Sequence, residues 1–135
     1  MKPELPVERD ILLSAHKGLL EDKHFAQLCL DIAGCVIIVL KRDQTVSLVN
    51  RKCRKILGYG AERILNRNWF DAFVPEYCRE ETKAAFDILI SGNVTQIEHY
   101  ENPIITRDGE ERIIAWHNVV LRDEKGLIFA ALCSG

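Results

Sequence analysis

The chain has 135 residues, 18 Lys plus Arg against 20 Asp plus Glu, and a formal net charge of -2. That length predicts one domain with a sizeable core, and the near-balanced charge gives no global pull toward nucleic acid or an anionic membrane. No run of about 18 apolar residues and no signal-peptide pattern occurs, so a soluble, cytoplasmic chain without membrane contact is expected.

Val7 to Ile32 reads as helix. Ile11, Leu12, Ala15, Leu19, Ala26 and Cys29 fall near three-to-four spacing among charged residues. Gly18 weakens the middle, so one helix or two pieces fit equally. This segment, 1–33, is expected either to cap its own sheet or to form a dimer seam that carries signal, and a broad stripe serves both. The core is expected over 34–135.

From Gly34 the period changes. Cys35 to Leu40 is a continuous apolar run, Lys41-Arg42-Asp43-Gln44 is a polar turn, and Thr45 to Val49 is a second strand. A strand apolar on both faces belongs inside a sheet. Asn50 is suited to cap a helix over Arg51 to Leu57, ended by Gly58. Its cationic face (Arg51, Lys52, Arg54, Lys55) lacks an aromatic stacking platform and reads as solvated. Ala61 to Leu65 predicts a short helix, and Pro75 opens a long one over Glu76 to Ile90. Cys78, Thr82, Ala85, Phe86 and Leu89 share a face of it. A strand around Gln96 to Tyr100 reaches Asn102-Pro103, and proline requires that strand to lie at an edge or carry a bulge.

The last third holds the strongest pattern. Asn102 to Arg107 ends in the Asp108-Gly109 turn, Glu111 to Leu121 runs eleven residues without Gly or Pro, and a turn ending in Gly126 leads into Leu127 to Cys133. Five antiparallel strands with helices grouped on one side make an α+β domain. Five cysteines without a C-x-x-C pair read as reduced thiols. His16, His24, His99 and His117 show no metal-ligand spacing, so no metal site is expected.

At this point the sequence resembles a PAS sensory domain over about residues 24 to 135. The resemblance rests on Val49-Asn50, Ile56-Leu57-Gly58-Tyr59, Asn68-Trp69-Phe70-Asp71 and Tyr100-Glu101-Asn102-Pro103-Ile104. It continues through Arg107-Asp108-Gly109-Glu110, Trp116-His117-Asn118 and Leu121-Arg122-Asp123 with Gly126. It is similar above all to PAS modules of bacterial and archaeal sensor histidine kinases and diguanylate cyclases. The resemblance implies strand order 2-1-5-4-3, with the Pro103 strand at an edge. It also implies a two-component or cyclase input module, in which a segment that hands the signal to a downstream output domain begins about where this sequence stops.

The cofactor chemistries of that family are testable on the residues. Where light-oxygen-voltage flavoproteins carry an adduct-forming cysteine after an Arg-Asn pair, Arg67-Asn68 is followed by Trp69. Their flavin-bonding amides fall at Ile104, Ile114 and Cys133, which offer no comparable group. Histidine-ligated haem is also disfavoured, because the axial place falls near Thr82 and the long helix has no histidine. What remains is an unknown small molecule or no ligand.

On the central strand, hydropathy alone sends Ile113, Ala115, His117, Val119 and Leu121 inward, whereas the PAS register sends Ile114, Trp116 and Asn118. A sheet covered on both faces reconciles them, and the register is followed here. The expected pocket is Phe73, Cys78, Thr82, Phe86, Ile104, Ile114, Trp116, Asn118 and Cys133. The alternative is that these side chains fill the interior of a module that only dimerises through the N-terminal helix. An enzyme with Cys78 or Cys133 as nucleophile and His99 or His117 as base finds no support in spacing.

Overall fold

A computed structural model of the chain describes residues 24–135. The chain divides into a unit of residues 1–32 and a unit of residues 33–135. Of the first, residues 24–32 form a helix, α1. Ile11, Leu12, Ala15 and Leu19 of the expected signal helix lie outside the described residues. Ala26 is exposed on α1, as are Phe25, Leu28 and Ile32.

In the second unit the order is β1 (Ile37–Lys41), β2 (Val46–Val49), α2 (Arg51–Leu57), a 3-10 turn (Ala61–Arg63), α3 (Trp69–Phe73), α4 (Glu76–Ile90), α5 (Val94–Ile97), β3 (His99–Ile105), β4 (Glu111–Arg122) and β5 (Ile128–Ser134). The strands form a single antiparallel sheet ordered β2-β1-β5-β4-β3. The apolar β1 is interior, between β2 and β5. Pro103 lies on β3, which pairs only with β4, so its missing N–H costs the ladder nothing.

Asn50 joins the first hairpin to the helices. It is fully buried, and its Oδ1 accepts from Cys53 N at 3.1 Å, the N-cap bond of α2, and from Ile37 N at 3.0 Å. Its Nδ2 donates to Cys35 O at 2.9 Å. One side chain thus ties the entry of β1 to the start of α2. Gly58 closes α2 in the left-handed region at φ 85°, and its N–H donates to Arg54 O, as the end of the apolar period led one to expect.

Several boundaries differ from the sequence reading; the helix expected over Ala61 to Leu65 is a 3-10 turn over Ala61–Arg63, and most strand ends move by one or two residues. Gln96 and Ile97 belong to α5, and β3 begins at His99 and runs unbroken through Pro103. The β-rich run there is too short to fix its own state, and the packing of Ile97 into the core decides it. β1 begins at Ile37, because Cys35 carries the carbonyl that Asn50 holds. β5 begins at Ile128, because Leu127 closes the preceding turn: its N–H donates to the Asp123 carboxylate at 2.9 Å and its C=O accepts from Asp123 N at 2.9 Å.

The inner face of the sheet and the helices α2 to α5 enclose the core. β4 alternates cleanly there: Ile114, Trp116 and Asn118 are buried, while Ile113 and Val119 are 75% and 38% exposed. The register implied by the resemblance is therefore the one adopted, and the hydropathy of Ile113 and Val119 is misleading. An inward Asn118 is tolerated because the Ile97 carbonyl meets its Nδ2 at 2.9 Å.

Candidate functional site

A cavity of about 40 Å³ lies between the inner face of the sheet and α3, α4 and α5. By the measure in which one water needs roughly 10–15 Å³, this holds about three water-sized groups. Its sheet wall is Ile38, Leu40, Tyr100, Asn102, Trp116, Asn118 and Cys133. Its helix wall is Trp69, Phe70, Thr82, Ala85, Phe86, Leu89 and Ile97. Cross-strand pairing builds the sheet wall, since Ile38 opposes Cys133, Cys133 opposes Asn118, and Tyr100 opposes Trp116.

Of the nine residues expected to form a pocket, Thr82, Phe86, Trp116, Asn118 and Cys133 meet at this cavity. Ile104 and Ile114 are buried but lie outside its lining, toward the other end of the β3–β4 pair. Phe73 packs between Tyr59 and Trp69, with centroids at 5.8 and 5.1 Å. Cys78 is half-buried, with its thiol 3.6 Å from Pro75 O. Trp69, Phe70, Tyr100 and Asn102 were not expected. Asn102 in particular carries no hydropathy signal, and only its register opposite Ile114, beside Tyr100 and Trp116, brings it inward.

The polar groups of the wall form a connected chain. Trp116 Nε1 donates to Asn102 Oδ1 at 2.6 Å, Asn102 Nδ2 lies 3.5 Å from Thr82 Oγ1, and Thr82 Oγ1 donates to Cys78 O at 2.7 Å. Tyr100 lines the same wall, and burial raises its pKa above the usual phenol value. Asn118 uses its Nδ2 on Ile97 O and its backbone N–H on Glu98 O at 2.8 Å. The sheet is thereby bonded to α4 through Thr82 and to the end of α5 through Asn118. Trp69 stands edge-on to Trp116 at 6.1 Å, closing the cavity on the α3 side.

Burial pushes the Cys133 and Cys53 thiols up to about 12. A thiol held protonated is a poor nucleophile, and Cys133 faces inward opposite Asn118, whereas His117, opposite Ser134, is exposed on the outer face. No cysteine–histidine dyad forms among the described residues. The histidines are nonetheless not scattered: His99 and His117 are cross-strand partners whose rings stack at 5.1 Å, and Glu98 joins them. Linear spacing hid this grouping because β3 and β4 bring it together.

Comparison with known proteins gives a consistent result. A sequence profile described as the PAS fold matches residues 46–133. Nitrogen regulation protein NtrY of Azorhizobium caulinodans is 28% identical over 117 residues, covering 85% of this chain and 14% of that protein. The chain thus spans only a small part of that curated relative. Among solved structures, the PAS domain of a Colwellia psychrerythraea protein superposes with a TM-score of 0.66 at 19% identity, covering 86% of this chain and 93% of that one. A PAS domain from a two-component sensor histidine kinase gives 0.62 at 18%, covering 87% and 97%. A Rhodobacter sphaeroides light-oxygen-voltage protein gives 0.63 at 16%, covering 84% and 65%. No helix among the described residues is long and apolar enough to cross a membrane. With a profile that spans well over half of the sequence and a sheet ordered β2-β1-β5-β4-β3, the chain belongs to the PAS family and is a regulatory module.

Proposed function

We propose that this module is the sensory input of a longer cytoplasmic signal-transduction protein, a sensor histidine kinase or diguanylate cyclase. It takes a ligand of a few heavy atoms into the cavity and relays the resulting shift to a downstream output domain. The carrying observation is the hydrogen-bonded link from the sheet through Asn102 to Thr82 on α4 and through Asn118 to the Ile97 carbonyl. A small polar ligand competes for those same groups, and its differential affinity for two packings of the helices supplies the switch. The similarity to a segment of NtrY supports a modular role of this kind.

Size and wall chemistry favour such a ligand over a flavin or haem. The small volume, about 40 Å³, and the edge-on indoles of Trp69 and Trp116 support a ligand of a few heavy atoms. The pocket residues that act are Thr82, Tyr100, Asn102, Trp116 and Asn118. Nucleic acid has no part in this reading. Ile11, Leu12, Ala15, Leu19 and Ala26 pair two copies of the chain as a homodimer, and the N-terminal helix carries the shift.

A second reading rests on its own observation. Among the described residues no buried side-chain nitrogen or oxygen lacks a partner, so the polar groups of the wall are satisfied without a ligand. In that reading the domain is a filled-core dimerisation module that relays strain. Native mass spectrometry of protein purified from several expression hosts, with an absorption spectrum of each sample, separates the two. The sensor reading expects a reproducible small added mass without flavin or haem absorbance. A bare chain in every preparation refutes it in favour of the filled core. A monomer in sedimentation at high concentration, unaffected by removing residues 7–32, refutes the dimer.

A further inference from the structure

We propose that Glu98, His99 and His117 form a binding site for one late first-row divalent cation, with zinc the first to test. The site lies on the side of the sheet opposite the cavity. It follows from the β3–β4 register and is independent of any ligand in the core.

Asn118 N donates to Glu98 O at 2.8 Å, which makes Glu98/Asn118 a hydrogen-bonded position of the ladder and the adjoining His99/His117 pair a non-hydrogen-bonded one. Opposed side chains approach most closely in such pairs. The two imidazoles accordingly stack at 5.1 Å with their planes 15° apart. The Glu98 carboxylate lies 3.3 Å from His117 Nε2. One ligand atom from each of the three residues can be chosen so that all lie within 4.8 Å of one another.

One of those distances is already what a tetrahedral ion requires, and the others are within reach of it. Bonds of about 2.0–2.2 Å set ligand atoms about 3.3 Å apart. The Glu98–His117 pair already has that separation, and His99 has to close by at most about 1.5 Å, which rotation of an exposed ring accomplishes. Two imidazoles and a carboxylate form a mixed nitrogen and oxygen set that suits zinc, nickel and copper and leaves a position for water. Half-exposed side chains give the ion an entry path, with His117 and Glu98 at 50% and 45% exposure.

The backbone beneath is fixed rather than loose. Asn118 holds both the Ile97 and Glu98 carbonyls, and His117 pairs with His99 on one side and Ser134 on the other. A bound ion therefore cross-links the edge strand β3 to β4, one residue from a side chain that lines the cavity.

The test is titration of zinc into untagged, metal-free protein carrying Cys29→Ser, which removes an exposed competing thiol. Calorimetry should show one ion per chain. His117→Ala and His99→Ala should each weaken binding at least about tenfold, and Glu98→Gln about three- to tenfold. All three positions are exposed or half-exposed, so the variants should melt within a few degrees of the parent without zinc. In nuclear magnetic resonance spectra, copper should broaden the amide signals of residues 98–99 and 117 first. The proposal is overturned by zinc binding that survives replacement of both histidines. Absence of saturable binding up to about 0.1 mM zinc, a concentration matching weak site affinity, overturns it equally.

Discussion

Replacing Asn50 by Ala removes the hydrogen bonds to Cys53 N, Ile37 N and Cys35 O at once from a side chain with no solvent exposure. Loss of the N-cap bond to Cys53 costs about 1 kcal/mol. The Ile37 N–H, buried and left without its acceptor, costs a further ~1–2 kcal/mol. The Cys35 carbonyl, half-buried, loses its Nδ2 donor for about 0.5–1 kcal/mol. Together these predict a loss of about 3 kcal/mol, since the backbone bond from Asn50 N to Ile37 O survives the substitution. With a urea slope of about 2 kcal/mol/M for a domain of this size, the unfolding midpoint falls by about 1.5 M. In a thermal melt the drop is about 10 °C. Asn50→Ser restores the helix cap but cannot also span Ile37 and Cys35, so it regains only about 1 kcal/mol. A loss below about 1 kcal/mol in Asn50→Ala, or complete recovery in Asn50→Ser, refutes the idea that this side chain joins β1 to α2.

Trp116→Phe removes the indole N–H that Asn102 Oδ1 accepts and enlarges the cavity, so urea unfolding should show about 2–3 kcal/mol lost. An unchanged midpoint means the Trp116–Asn102 bond contributes nothing. The Cys53 and Cys133 thiols, raised to about 12 by burial, make stability fall at alkaline pH. The unfolded chain releases these protons first, so their stabilisation is complete below about pH 8.5–9. As pH climbs toward the folded values, each is lost at up to about 1.4 kcal/mol per unit. Tyr100, also raised, acts in the same direction. Urea unfolding at pH 8 and 10 checks this, and a Cys53→Ala/Cys133→Ala variant that declines as steeply as the parent contradicts it. Under native conditions a thiol reagent should modify exposed Cys29 first and reach Cys53 and Cys133 only on unfolding.

Much of this architecture is legible in local chemistry. Asn50 and Gly58 mark both ends of α2 because a short polar acceptor and a residue free to adopt positive φ are what helix ends require. Pro103, which has no N–H to give, restricts its strand to an edge or a bulge, and β3 takes the edge. Asp108-Gly109 and Gly126 mark the two turns of the C-terminal meander, and Gly109 and Gly126 both take φ of 81° there. The α4 stripe likewise identifies Thr82, Phe86 and Leu89 as facing the sheet, since helical period alone determines a face.

The cavity wall is less legible. Thr82, Phe86, Trp116, Asn118 and Cys133 were identifiable once the PAS register was applied, but hydropathy argued for the opposite face of β4. Ile113 and Val119 are more apolar than Asn118, yet Asn118 is the residue inside. A buried amide is stable only if something accepts its protons, and the Ile97 carbonyl that does so is 21 residues away in the chain. No local window contains that information. The same holds for Asn102, whose worth depends on Trp116 and Thr82, and for Gln96 and Ile97, whose helical state follows from packing.

Length, turn residues and the two periodicities by themselves determined that the chain is an α+β domain with these helix ends, this edge strand and this meander. They could do so because each is a property of a few adjacent residues. Which amides are satisfied on the inner face of β4, and that His99 meets His117 beside Glu98, were decided by the tertiary structure alone. Both depend on the register between strands, which brings together atoms that the sequence keeps 14 to 21 residues apart.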